Sequence, residues 1–377
     1  MILTHISLIN FRNLIYLEAD LAPGLTIISG DNGQGKSSFL EGVYLLSIGK
    51  SYKALTEKEL VNWSALEKEL AIIGGKVLKN EVITDIKVGI DTRKGVMQKY
   101  ARVNSVPQKP SEMVGILNAV LFSAEDIELV SGSPKGRRRY IDILMPQVNP
   151  KYLRSLQLYQ KIVTQRNHVL RNIRDGKSNL QELKSWNTQL AKEGSLIIFS
   201  RLQTMGFLKN TISAVYEQLS PNNPQLDVNY ESTVELSRVT NLGEIEEAFI
   251  SGLLEVQGKE LATSQTALGP HRDDIRLSQE GRDFGKFASR GQARIAALAM
   301  RLAEAQILKN MNSHDPILLL DDVLSELDFA KRQMVMDEVS RYEQILLSTA
   351  EIDIVPQNNQ NELKIIKLNR GSFCPAN

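Results

Sequence analysis

The sequence predicts an α/β fold: a mixed or parallel sheet built from both chain ends, with a helical insertion domain that carries a short antiparallel αα arm. Three observations predict it. The strand-like "LTIIS" (25–29) passes through a glycine-rich loop into the helix-like "GKSSFLEGVYLLSIG" (35–49). Near the other end, the apolar "PILLLDD" (316–322) and "QILLSTA" (344–350) alternate with helical stretches, as strands buried in a parallel sheet do. Between the ends, residues 150–220 change to a seven-residue apolar spacing. The expected division is 1–120 with 264–377 as one domain and 121–263 as the insertion.

Taken in order, the first 110 residues read as short strands rich in β-branched residues. They are "ILTHISLINF" (2–11), "LTIIS", "KELAIIGGKV" (68–77), "EVITDIKVGID" (81–91) and "YARVNSV" (100–106). Gly74-Gly75 and Lys79-Asn80 punctuate them. In 150–220, Leu156, Val163 and Leu170 recur every seven residues, and so do Tyr152, Tyr159, Arg166 and Ile173. Together they make an apolar seam, imperfect at Arg166. "RDGKSN" (174–179) is a turn signal, and Leu183, Leu190 and Ile197 resume helical spacing beyond it, so the segment predicts an αα-hairpin. "SPNNPQ" (220–225) reads as a loop and 242–260 as a helix. The chain turns sheet-like from about 264, then continues through the helix 291–310, the strand 316–322, the helix 329–342, the strand 344–350 and a last strand "LKIIKLN" (363–369).

Composition excludes several classes. Over 377 residues, 42% are hydrophobic and 24% charged, the balance of a soluble globular protein. The start does not read as a signal peptide, and no apolar run reaches the roughly 18–20 residues that span a bilayer. A cytoplasmic protein without membrane partners is the expectation. The single cysteine, Cys374, rules out an intrachain disulfide and any multi-cysteine metal site. The net charge is only +1, but its distribution is uneven. In the basic segment 131–177 eleven Lys or Arg, among them Arg137, Arg138, Arg139, Lys151, Arg154 and Lys161, face only Asp142 and Asp175. Arg154, Lys161 and His168, seven apart, fall off the apolar seam. This is either a solvated helix face or a surface for nucleic acid.

Gly30-Asp31-Asn32-Gly33-Gln34-Gly35-Lys36-Ser37 matches G-x-x-x-x-G-K-[ST], with a strand before it and a helix after it. Glycines let backbone N–H groups turn inward around phosphate oxygens, and the helix N-terminus adds its dipole. Lys36 would reach the β- and γ-phosphates, Ser37 would hold Mg²⁺, and Ser38 follows in the first helical turn. A flexible strand-to-helix connection is the plainer reading of the loop alone. A second metal ligand is expected at the end of a buried strand beside the loop's own strand, and Asp321 fits. Asp322 would orient or deprotonate an attacking water, or else merely cap the next helix. In "SRGQARIAAL" (289–298) a hydroxyl, a glycine and free helix N–H groups make an anion site at Ser289, Gly291 and Gln292, or an ordinary helix start.

Ser289-Arg290-Gly291-Gln292 resembles the signature motif of ABC-type ATPases, and Asp321-Asp322 with "SELD" (325–328) resembles their Walker B and D-loop. "LINFRNL" (8–14), "GDNGQGKS" (30–37) and the long insertion resemble the SMC-like branch. "FSAEDIELVSGSPKGRRRYID" (122–142), "GPHRDD" (269–274), "SRGQ" and "LLDDVLSELD" (319–328) together are similar to its RecF family of bacterial recombination mediators. The resemblance implies an ABC-type ATPase head in which one subunit's phosphate loop and another's signature sandwich each ATP. Ser289 and Gln292 would then act in trans, and ATP would close a homodimer that slow hydrolysis reopens. It implies binding to gapped or single-strand/double-strand junction DNA through the basic segment. It also implies work with RecO and RecR to place RecA on DNA held by single-strand-binding protein.

Some positions depart from the pattern. ABC-type ATPases usually carry Glu where this chain has Asp322. Thr349 stands in the place of the switch histidine of the wider superfamily, and Lys53 where RecF-like chains tend to have Arg. No glutamine marks the lobe junction at "FSAEDIE", which leaves Glu125 or Asp126 to serve. A structural clamp that binds ATP without turnover is the alternative reading. A nuclease-partnered head with long coiled coils or a transporter subunit fits the short arm and the basic segment less well.

Overall fold

The computed structural model of the chain describes residues 1–62, 70–93, 96–221, 223–236, 239, 241–355, 363–369 and 372–374. Lys68 and Glu69 of one expected strand, and Asn222 of an expected loop, lie outside the described residues. The chain divides into two compact units: Met1–Ile127 with Gln218–Pro221 and Ala297–Asn377, and Glu128–Glu217 with Asn222–Ala296.

The first unit begins with β1 (Ile2–Phe11), β2 (Leu14–Asp20) and β3 (Gly24–Ser29), followed by α1 (Lys36–Ile48). Then come β4 (Leu70–Lys79), β5 (Val82–Asp91), β6 (Gln98–Val103), β7 (Val106–Gln108) and β8 (Ala119–Ser123). One antiparallel sheet has the order β2-β1-β4-β5-β6-β7. In β1 the buried set shifts from Leu3 to Ile6 and Leu8, because the register with β4 slips between Leu3 and His5 and turns the following side chains over.

The second unit opens with the short α2 (Glu128–Ser131) and α3 (Pro134–Leu144). The expected hairpin is formed by α4 (Pro150–Arg174) and α5 (Leu180–Leu219). Asn149 caps α4 by accepting from the backbone N–H groups of Lys151 and Tyr152, and Pro150 takes the first helical position. At the tip of the hairpin Val169, Leu170 and Leu183 pack with Ile173, Trp186 and Leu261. The seam's one irregular residue, Arg166, is fully buried. It pairs with buried Glu260 at 2.5 Å and donates to Asn187 and Thr266. The unit continues with β9 (Asp227–Glu231), α6 (Leu242–Glu255), α7 (Gln257–Thr263), β10 (Asp274–Gln279), β11 (Arg282–Asp283) and α8 (Phe284–Phe287). A three-stranded sheet orders these as β11-β10-β9. β10 pairs with β9 of the insertion, so residues 264–296 cluster there and not with the α/β domain the sequence assigns them to.

α9 (Arg290–Asn312) leads back into the first unit, which is completed by β12 (Ile317–Asp321), α10 (Phe329–Val339), β13 (Gln344–Thr349), β14 (Lys364–Asn369) and β15 (Ser372–Cys374). The second sheet runs β15-β14-β3-β13-β12-β8, parallel except for the β14–β15 hairpin. α1 lies between the two sheets and touches strands of both, which is why Phe39 through Ser47 are buried on every side. Its close approach needs small residues: a Cβ on Gly42 would come within 2.5 Å of Leu8, and one on Gly75 within 2.9 Å of Leu3 and Leu46. Among the described residues no helix is long and apolar enough to cross a membrane.

Candidate functional site

The loop 30–35 takes the conformations its glycines were expected to permit. Gly30, Gly33 and Gly35 have φ of 148°, 81° and 105°, all in a region that side chains disfavour. At Gly35 a Cβ would also stand 2.5 Å from Leu14. Lys36, the first residue of α1, folds its ammonium back onto the loop, donating to the carbonyls of Gly30 (2.6 Å) and Asp31 (3.0 Å). Burial lowers its pKa, and the charges of Asp322, Asp31 and Asp321 partly offset that effect. The loop has an anchor the sequence reading did not single out. Asn13, in the β1–β2 turn, donates to the Gly33 carbonyl at 2.7 Å and accepts from Ser38 at 2.7 Å. Asp31, Asn32 and Gly33 are exposed along this loop, while Gln34 is half-buried.

Folding brings Ser37 and Asp321, 284 positions apart, to a 2.8 Å hydrogen bond between the Ser37 hydroxyl and Asp321 Oδ1. The expected route is corrected in one respect. β12 is not beside β3, because β13 lies between them. β13 is inserted through parallel ladders with both neighbours, so α1 reaches Asp321 across it. The inserted strand contributes Ser348, whose hydroxyl also donates to Asp321 Oδ1 at 2.8 Å. On the other oxygen, Oδ2, Asp321 accepts from the Tyr52 phenol (2.8 Å) and the Lys53 ammonium (2.9 Å). Burial pushes the Asp321 carboxyl up, but Lys53, Ser37 and Ser348 together hold it below the usual carboxylate range. Burial and the Asp321 charge drive the Tyr52 phenol far above its ordinary value, so it is a neutral donor.

Asp322 is exposed and sits at φ 53°, a left-handed conformation uncommon outside glycine, with its N–H directed to Ser348. That conformation turns the chain sharply at the strand end and leaves the Asp322 carboxylate facing out beside the loop. Thr349 is buried, and its hydroxyl is taken up locally, donating to the Glu351 carbonyl and accepting from the Glu351 N–H. It therefore occupies a turn of its own and does not face out as a sensing hydroxyl would. At the lobe junction Asp126 is held by Arg301 at 2.7 Å and by the Ser123 N–H. Glu125 stays exposed and lies near enough to raise the Tyr52 pKa further. Among the described residues no three His, Cys, Asp or Glu side chains gather into a metal site.

In the second unit Ser289 and Gln292 form a capping box for α9. The Ser289 hydroxyl accepts from the Gln292 N–H, and the Ser289 N–H donates to the Gln292 side chain. The Gln292 amide nitrogen donates to Asn223, so both ends of that side chain are engaged. Gly291 is exposed, and beyond its own neighbours and helix backbone no described residue lies within 4 Å of where its Cβ would be.

The basic segment separates into two sets. Arg137 makes a bidentate pair with Asp274 at 2.8 Å, Arg138 donates to the Asp273 carbonyl, and Arg166 is the buried partner of Glu260. Arg139, Lys151, Arg154 and Lys161 are exposed, the last three along α4. Arg137, Arg138, Asp142, Asp273 and Asp274 of "GRRRYID" and "GPHRDD" are thus engaged within the unit, while Arg139 and Arg272 are exposed. Asp273 accepts from Tyr230 and Thr233, Asp142 from Tyr152 and Arg201, and His271 meets Tyr159 at 2.7 Å.

The family model described as RecF/RecN/SMC N terminal domain matches residues 2–371. The DNA replication and repair protein RecF of Bacillus thuringiensis (strain Al Hakam) is 32% identical over 374 residues, covering 99% of this chain and 98% of that protein. A solved structure of the recombination mediator protein RecF with ATP, from the RecFOR pathway, superposes with a TM-score of 0.89 at 29% identity. It covers 99% of this chain and 96% of the other. An Smc head bound to the C-winged helix domain of ScpA, at 14% identity and a TM-score of 0.55, covers 99% of this chain and 97% of its own and shares the fold alone.

Proposed function

The chain belongs to the RecF/RecN/SMC N-terminal domain family, on its RecF side, and from that membership we propose that it is an ATP-driven DNA-binding switch of replication and recombinational repair. The observation that carries this reading is the 2.8 Å contact between Ser37 and Asp321 at the mouth of the glycine loop. A hydroxyl and a carboxylate converging beside a helix N-terminus are the protein oxygens that a metal–triphosphate pair needs. Ser37 and Asp321 are hard donors and fit Mg²⁺, which prefers one or two protein oxygens and completes its shell with water and phosphate. When bound there, it would neutralise charge on the β- and γ-phosphates.

The protein's own groups divide the remaining work. The N–H groups of 31–38 would face phosphate oxygens, and Lys36 would leave the Gly30 and Asp31 carbonyls for the β- and γ-phosphates. Asp322, turned outward, would hold the attacking water and accept its proton. Its side chain is one methylene shorter than Glu, which suits a slow ATPase. The Ser289 hydroxyl accepts its cap bond and keeps its proton for donation, and the open space beside Gly291 admits a phosphate to the start of α9. Both features suit a signature offered to the ATP of a second copy. Gln292, with both ends engaged, is assigned to holding that turn. The homodimer would close around gapped or junction DNA, with Lys151, Arg154 and Lys161 on phosphates. It would act with RecO and RecR to place RecA on DNA coated by single-strand-binding protein, in the cytoplasm.

The test is sizing in solution with ATP, ADP or neither, with and without gapped DNA. Dimers confined to ATP and lost in Lys36→Met are expected. A Lys36→Met protein that still dimerises with ATP would overturn the assignment. The outward Asp322 carboxylate favours turnover over a silent clamp. Asp322→Asn should therefore keep the dimer and lose DNA-stimulated hydrolysis.

A further inference from the structure

The surroundings of Asp321 carry an inference that rests on the reading of the glycine loop and Asp321 as an Mg·ATP site. The carboxylate accepts four hydrogen bonds, two per oxygen, from Ser37, Ser348, Tyr52 and Lys53. A carboxylate offers about four such positions. A metal ion can join it only by displacing a donor, and Lys53 is the one donor that carries positive charge.

The position of Lys53 is built by its neighbours. The Ser51 hydroxyl accepts from the N–H groups of Lys53 (3.0 Å) and Ala54 (2.7 Å) and donates to Glu41 of α1. Glu41, itself buried, is clamped by Arg12 through two bonds of 2.8 and 2.9 Å. Tyr52 packs edge-on against Tyr44 of α1 at 5.4 Å, and the Lys53 ammonium lies 5.3 Å from the Tyr52 ring centre. The turn 51–54 is therefore fixed to the helix that begins with Lys36 and Ser37, and the ammonium is aimed at Asp321. The Lys53 side chain is still 33% exposed, which leaves it a way out.

We propose that Lys53 is a placeholder cation for Asp321: it balances the carboxylate while no divalent ion is there, competes with Mg²⁺ for Oδ2, and withdraws when metal and nucleotide enter. Two cations on one carboxylate oxygen repel each other, so occupancy by one disfavours the other. Lys53 thereby sets how much Mg²⁺ the site requires. A lysine that gripped a phosphate of the bound nucleotide would do the opposite, and its removal would weaken binding.

The experiment titrates Mg²⁺ into protein with a fluorescent ADP analogue, comparing wild type with Lys53→Met and Lys53→Gln. Half-saturating Mg²⁺ is expected to fall about two- to fivefold in both variants, the factor a partly exposed ion pair carries. Affinity for the analogue in EDTA should not change. Unchanged or raised half-saturation in both variants, or weaker analogue binding in EDTA, would overturn the proposal. Asp321→Asn separates the two levels. If it keeps the wild-type Mg²⁺ dependence, the metal–nucleotide reading itself fails and takes the placeholder with it. If it loses that dependence, the site stands and the lysine variants alone decide.

Discussion

Asn13 ties the glycine loop to the β1–β2 turn with two hydrogen bonds of opposite sense. Asn13→Asp keeps an acceptor for Ser38 and loses the donor to Gly33. Nucleotide affinity should drop roughly fivefold, the equivalent of a net hydrogen bond of about 1 kcal/mol. Titration of a fluorescent ADP analogue measures it, and an unchanged affinity would mean the loop keeps its shape unaided. Nothing local marked Asn13 in the sequence, because its partners Gly33 and Ser38 stand 20 and 25 positions away. His271 bears on stability instead. Burial pushes its pKa down to about 4 from the ordinary 6.5, so the unfolded chain binds the extra proton between those values. Its contribution is complete above pH 6.5 and is lost as pH falls through 4. The loss accumulates to on the order of 3 kcal/mol between pH 6.5 and pH 4. Melting curves should show wild type losing stability relative to His271→Gln as pH falls from 6.5 toward 4, with no such relative change above pH 6.5.

At the scale of elements, α4 serves two surroundings with one sequence. Its inner face puts Arg166 against Glu260, and Arg166→Met should cost about 3–5 kcal/mol, because it strands a buried carboxylate. Chemical denaturation reads this directly. Its outer face exposes Lys151, Arg154 and Lys161, and reversing these three to Glu should weaken DNA binding without moving the melting temperature. The slope of log affinity against log salt should shrink by about 0.9 for each phosphate that is no longer neutralised. Unchanged binding would send the DNA elsewhere. Reversing Arg137 is a different experiment. Its charge is balanced by Asp274, so the expected result is a loss of stability. The seven-residue spacing made the hairpin legible, since burial on a helix follows local period. The same spacing made Arg166 look like a defect, because its partner lies 94 positions away. Arg137 and Arg138 likewise counted as free charge until Asp273 and Asp274 met them across the fold.

For the whole molecule, the proposed site is distributed. The glycine loop and Asp321 belong to one compact unit, while Ser289 and Gly291 belong to the other. If ATP is completed by a second copy, Lys36→Met and Ser289→Arg each inactivate a different half. Mixing the two inactive proteins should restore part of the hydrolysis, because mixed dimers hold one intact site. Mixtures as inactive as their components would argue for a site complete within one chain. The sequence by itself determined the glycine loop between β3 and α1, the buried strands, the hairpin and the start of α9. Each depends on glycine placement, capping or periodicity, which neighbouring residues settle among themselves. Only the tertiary structure decided that β13 stands between β3 and β12, that Lys53, Tyr52 and Ser348 surround Asp321, and that part of the basic segment is internal. Those outcomes pair residues tens to hundreds of positions apart, and only the packing of the sheets around α1 and of the hairpin against its own unit selects the partners.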